Sequence, residues 1–176
     1  MVGGLKQTAA QILRAYDADF IVAQKGASDL SFSAVTEEEW QAVAARPDVE
    51  RAIGALLHIS RVGGNPYFMT VGIRPEDLAK SPPDLREGSL LSEGATDEIM
   101  LGDRAASNLN AGIGDTVTIG TQSFRVVGIY HAGNVWEDAG ANAPLVAVQE
   151  IASKPGIVTV VYVKVKEGSD ARASAQ

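Results

Sequence analysis

The apolar positions fall into short runs of two periods. Leu5, Ala9, Ile12, Leu13 and Tyr16 recur at three- and four-residue spacing, which predicts an amphipathic helix over residues 5–16. Asp19-Phe20-Ile21-Val22-Ala23-Gln24 follows as a buried strand that exits through Lys25-Gly26-Ala27-Ser28. Thr36-Glu37-Glu38-Glu39 has the form of a capping box. The threonine hydroxyl can accept from the amide three residues on, Glu39 can reach back, and acidic residues suit the positive end of a helix. Consecutive helical residues point in different directions, so this trio reads as a cap rather than a metal or acid/base cluster. The helix should bury Trp40, Val43 and Ala44 and stop before Pro47, which cannot continue the hydrogen-bond ladder.

Val49–Val62 and Tyr67–Ile73 flank Gly63-Gly64-Asn65-Pro66 and predict a β-hairpin. His58 lies in its first strand between Leu57 and Ile59 and reads as a hydrogen-bonded structural histidine. The texture then changes. Arg74-Pro75-Glu76 and Lys80-Ser81-Pro82-Pro83 are polar and proline-rich and suggest a lobe boundary, with Leu85-Arg86-Glu87-Gly88 and Ser92-Glu93-Gly94-Ala95 as loop punctuation beyond it. Glu98–Leu101 reads as a short strand, and Gly102–Leu109 as a short helix with Ala105, Ala106 and Leu109 inward. Ile113–Ile119 and Phe124–Tyr130 form a second hairpin about Gly120-Thr121-Gln122, with Gly128 allowing a bend or bulge. His131–Ala143 reads as a long polar loop carrying Trp136. An indole there more often folds over the edge of the core; its functional alternative is a partner anchor. Pro144–Ile151 leads into a short helix, which Pro155-Gly156 breaks before a β-branched strand, Ile157–Val163.

Composition narrows the function. A chain of 176 residues suffices for one compact domain or two small lobes, and needs no metal or disulfide staple. Net charge is −7 and Lys and Arg do not cluster, which argues against nucleic acid. The lysines of Tyr162-Val163-Lys164-Val165-Lys166 alternate with valine, as on the wet face of a strand. With no cysteine, disulfides, thiol catalysis and thiolate metal sites are excluded. A bilayer-spanning helix needs about 20 apolar residues, and the run Ile157–Val163 is about a third of that. No signal peptide is visible at Met1-Val2-Gly3-Gly4, and Gly168–Gln176 starts like a capped helix and stops, which suggests a piece of a longer protein.

No conventional chemistry assembles. Gly102-Asp103-Arg104 and Gly112-Ile113-Gly114-Asp115 lack the lysine of a phosphate loop, and the second is too short for a dinucleotide fingerprint. His58 and His131 are the only histidines and form no zinc pair; there is no Gly-x-Ser-x-Gly elbow. Carboxylates are plentiful but scattered, so a carboxylate pair meeting in one cleft is the hydrolase this reading leaves open. The expectation is a non-enzymatic, soluble α+β module that binds or transmits motion. It has no catalytic, cofactor or metal residues, and Trp136 is its candidate partner contact.

The order of landmarks resembles the extracytoplasmic core domain of MacB-like and FtsX-like ABC transporter permeases, the group that includes the lipoprotein-releasing permeases. The landmarks are Asp19-Phe20-Ile21-Val22, Arg46-Pro47-Asp48-Val49, Thr70-Val71-Gly72-Ile73-Arg74-Pro75, Leu85-Arg86-Glu87-Gly88, Ile99-Met100-Leu101-Gly102-Asp103-Arg104-Ala105-Ala106, Ile113-Gly114-Asp115-Thr116-Val117, Phe124-Arg125-Val126-Val127-Gly128-Ile129 and Ala143-Pro144-Leu145. Each is generic alone; their order and spacing span nearly the whole chain. The resemblance implies a β-α-β porter-like lobe, residues 1–80 and 146–176, adjoining the membrane helices, with a β-rich lobe, residues 85–144, inserted into it. It further implies a location on the extracytoplasmic face of the membrane and a cytoplasmic ATPase that drives movement outside. The implied partners are the permease's own transmembrane helices, that ATPase, an adaptor or cargo protein, and a second permease copy. A free-standing ligand- or protein-binding module is the alternative.

Overall fold

The computed structural model describes residues 19–23 and 34–166. The expected helix over 5–16, the exit Lys25–Ser28 and the segment Gly168–Gln176 lie outside the described residues. The chain divides into two compact units. One comprises Met1–Ala55 with Gly156–Gln176, the other Leu56–Pro155. Strand β3, Val49–Val62, passes from the first into the second. The proline-rich stretch near Pro82-Pro83, expected at a lobe boundary, lies inside the second unit, as does Pro144.

In the first unit, β1 (Phe20–Ala23) pairs antiparallel with β11 (Val160–Val165), placing Phe20 opposite Val163 and Ala23 opposite Val160. β11 pairs antiparallel with the start of β3, with Val160 opposite Ala55 and a bulge between Lys164 and Val165. β2 (Val35–Thr36) pairs with β10 (Ile157–Val158). The strand expected over Ile157–Val163 is therefore split at Thr159, a buried residue whose N–H donates to the Ala55 carbonyl at 2.9 Å. Helix α1 (Glu37–Ala44) starts on the capping box: the Thr36 hydroxyl accepts from Glu39 N–H at 3.1 Å, and the Glu39 carboxylate accepts from Thr36 N–H at 3.2 Å. Trp40 is buried, and its indole N–H donates to the Ala52 carbonyl at 2.9 Å. Val43 is only half-buried and Ala44 is exposed, contrary to expectation, because this eight-residue helix buries Trp40 alone. The indole lies flat over Gly54, where a Cβ would come within 2.8 Å of ring atoms; only glycine leaves room for it.

The second unit is a mixed sheet ordered β3-β4-β9-β6-β8-β5. Its strands after β3 are β4 (Asn65–Ile73), β5 (Asp84–Gly88), β6 (Glu98–Gly102), β7 (Thr116–Ile119), β8 (Gln122–His131) and β9 (Ala141–Pro144). The β3–β4 turn needs Gly63 in the left-handed region, φ +58°. β4 runs parallel to β9, β9 antiparallel to β6, and β6 parallel to β8. β8 also pairs antiparallel with β7 through its first residues and with β5 through its last. Phe68, Ile73, Ile99, Met100, Leu101, Phe124 and Val126 fill the core. Four helices complete the unit: α2 (Pro75–Leu78), α3 (Asp103–Leu109), α4 (Val135–Asp138) and α5 (Leu145–Ala152).

Two stretches read as loop are strands. Leu85-Arg86-Glu87-Gly88 belongs to β5, an exposed edge strand whose polar composition hides it. Ala141–Pro144, at the end of the expected loop, is β9, fully buried between β4 and β6. Small, non-β-branched residues give it no strand signal; pairing on both sides makes it one. Pro75 opens α2 at the first helical position, where its missing N–H costs nothing. The buried Asp77 carboxylate of that helix accepts from Arg74 Nε at 2.7 Å and Lys80 Nζ at 3.2 Å.

Candidate functional site

The segment leaving β8 holds a polar network built from both side chains and backbone amides. His131 ends the strand, Ala132 and Gly133 turn, and Asn134 caps α4 by accepting from Glu137 N–H at 2.9 Å. Asn134 Nδ2 donates to Glu137 Oε2 at 2.6 Å, and the buried Tyr130 hydroxyl donates to the Glu137 carbonyl at 2.8 Å. Burial, opposed by the Asn134 hydrogen bond and aided by the charge of Asp138, raises the Glu137 pKa. Burial first, then the charges of Glu137, Asp138 and Asp103, push the Tyr130 phenol well above its ordinary value.

Asp138 closes the turn from inside. It is buried, and its Oδ1 accepts from Ala132 N–H at 2.6 Å and Gly133 N–H at 3.4 Å, while Oδ2 accepts from Gly133 N–H at 3.2 Å. Backbone amides thus hold this carboxylate with little freedom. Asp103, the first residue of α3, meets the same turn from another element. His131 Nδ1 stands 2.8 Å from Asp103 Oδ2 and 3.6 Å from Asp138 Oδ2. An ionised carboxylate only accepts, so Nδ1–H donates to Asp103. The close approach depends on Gly102, where a Cβ would lie 2.2 Å from the Asp138 carbonyl oxygen. Beside the three side chains is an open depression of about 450 Å³, also lined by Arg104, Ser107, Asn134 and Val135.

The candidate contact Trp136 lies on α4 and is 59% exposed; its neighbour Val135 is 63% exposed. The indole does not fold over the core edge, since the helix turns Glu137 and Asp138 inward. His58 is half-buried in β3, where burial and then the charge of Lys154 lower its pKa. It does not join His131. Sequence reasoning missed the meeting of Asp103, His131 and Asp138. Its one signal is a carboxylate shortly after a strand-ending histidine, and the third member comes from 28 residues upstream.

The fold is α+β with a mixed sheet, and no helix among the described residues is long and apolar enough to cross a membrane. A family model, the MacB-like periplasmic core domain, matches residues 1–176, and the chain belongs to that family. It is accordingly an extracytoplasmic domain of a MacB-type ABC transporter permease. The periplasmic region of MacB from Actinobacillus actinomycetemcomitans is similar in fold, at TM-score 0.69 and 15% identity, over 88% of this chain and 77% of that one. So is the extracellular domain of the noncanonic ABC-type transporter YknZ from Gram-positive bacteria, at TM-score 0.68 and 12% identity, over 89% of this chain and 87% of that one. No curated protein matches the sequence.

Proposed function

We propose that this domain couples ATP hydrolysis on the cytoplasmic side to movement outside the membrane, and that it engages a partner or cargo protein there without catalysing a reaction. The observation that carries this reading is the pairing of the first described strand with the last. Antiparallel β1 and β11 put Asp19 beside Val163–Val165, so the first and last described strands of the first unit lie side by side. Two membrane helices attached there would act on one rigid edge, as a hinge-driven body requires. On this reading the unit holding both ends is the membrane-adjoining lobe, and the exposed Val135 and Trp136 belong to the other unit. Solvent-exposed Trp beside an exposed aliphatic residue has the chemistry of an interface anchor.

The test is performed on the full permease with its ATPase in proteoliposomes. The 176 residues contain no cysteine, so Glu93→Cys adds a single labelling site to this domain, and any cysteine elsewhere in the permease is first replaced by serine. Distances between the labels of a permease dimer are expected to differ between nucleotide-free, ATP-bound and post-hydrolysis states. A permease that hydrolyses ATP with an unchanged label distance in all three would defeat the coupling.

A further inference from the structure

The geometry points to a divalent transition-metal site at Asp103, His131 and Asp138. One ligand atom from each lies within 4.8 Å of the other two. Donors sharing a tetrahedral ion at bonds of about 2.0–2.2 Å stand about 3.3–3.6 Å apart. His131 Nδ1 and Asp138 Oδ2, at 3.6 Å, already have that spacing. His131 Nδ1 and Asp103 Oδ2, at 2.8 Å, must open slightly as the Nδ1 proton is lost and the neutral ring keeps its proton on Nε2. Both side chains are about two-fifths exposed, 41% and 39%, so they can move without repacking the core.

The three donors come from a helix start, a strand end and a second helix end, so tertiary structure holds the set together. Asp138 is the fixed member, anchored by the Ala132 and Gly133 amides. Two carboxylates and a neutral imidazole carry the charge that one divalent ion cancels. Arg104, exposed on the rim of the depression, is the one opposing charge in its lining, and Ser107 and Asn134 add polar oxygens. One imidazole nitrogen with carboxylate oxygens suits zinc, manganese, cobalt or nickel better than magnesium or calcium. Three protein ligands leave a position open to water or to an incoming donor group. A bound ion would tie α3 to the segment that displays Val135 and Trp136, setting the posture of that surface. The site does not rest on the transporter reading.

The 176-residue chain, free of any histidine tag and stripped with a chelator, is titrated with Zn²⁺ by calorimetry and with Co²⁺ by visible absorption. One equivalent of Zn²⁺ is expected to bind in the micromolar range, and Co²⁺ to develop the d–d bands of a low-coordinate nitrogen–oxygen site. Zn²⁺ should raise the melting temperature, because it binds only the folded chain. His131→Gln and Asp103→Asn should each weaken binding by about tenfold or more, with melting in chelator unchanged. The chain has two histidines, so His58→Gln, which should bind normally, serves as the control. Failure of the parent chain to bind one equivalent of Zn²⁺ would overturn the site. So would binding undiminished by His131→Gln, which would leave the His131–Asp103 contact a simple hydrogen bond.

Discussion

The Asp19 carboxylate accepts a hydrogen bond from the Val165 N–H at 2.8 Å across 146 residues of sequence. Asp19 N–H in turn donates to the Val163 carbonyl at 2.8 Å. The two bonds fasten the first described strand to the last. Asp19→Ala removes the side-chain bond and leaves the Val165 amide to solvent, at a cost of about 1–2 kcal/mol. Urea unfolding of the isolated chain measures this; an unchanged midpoint would show that the strand pairing alone holds the two ends together.

The two tryptophans should behave in opposite ways. Trp40 is 5% exposed, donates to Ala52 and covers Gly54, so Trp40→Ala should cost about 3–5 kcal/mol. Trp136 is 59% exposed, so Trp136→Ala should stay within about 0.5 kcal/mol of the parent. A comparable loss for both in thermal unfolding would make Trp136 a core residue and remove it as a partner anchor.

Gly102 is where β6 gives way to α3 against the carbonyls of α4. A Cβ there would lie 2.2 Å from the Asp138 carbonyl oxygen and 2.5 Å from that of Glu137, both backbone atoms with little room to retreat. Gly102→Ala should destabilise by about 1–3 kcal/mol or more. At Gly64 an added Cβ meets nothing within 4 Å, so Gly64→Ala is the matched control and should be close to neutral. Equal stability of the two variants would contradict the packing of α4 on β6.

His58 predicts a pH dependence. Burial, then Lys154, lower its pKa from the ordinary 6.5 in the folded state. Below about pH 6.5 the unfolded chain therefore binds a proton that the folded chain does not, and stability falls as pH falls. The loss begins near 6.5 and ends at the lowered folded value, beneath which His58 contributes no further slope. Urea midpoints across that window should fall less steeply with acid in His58→Gln. Identical slopes would mean that His58 titrates alike in both states.

The legible parts of the fold are those whose causes are local. Thr36 and Glu39 satisfy each other's amides within one helical turn, and Gly63 and Gly120 take the left-handed turn conformations on which the two hairpins depend. Such signals act over a few residues and can be read from order alone. β5 and β9 carry no such signal. Ala141–Pro144 is a strand because β4 and β6 saturate its backbone on both sides, and those partners lie about 40–70 residues upstream.

The site divides the same way. Trp136 could be singled out as a bulky ring in a polar stretch, but its exposure follows from Glu137 and Asp138 being drawn inward, which only the packed turn decides. His131 and Asp138 are close in sequence, yet their meeting with Asp103 requires β6 and β8 to run parallel so that α3 begins where β8 ends. Sequence by itself determined the caps, the turns, the two hairpins and the family landmarks. Tertiary structure decided which distant carboxylates face one imidazole, because hydrogen-bond pairing between strands, not chain proximity, sets those distances.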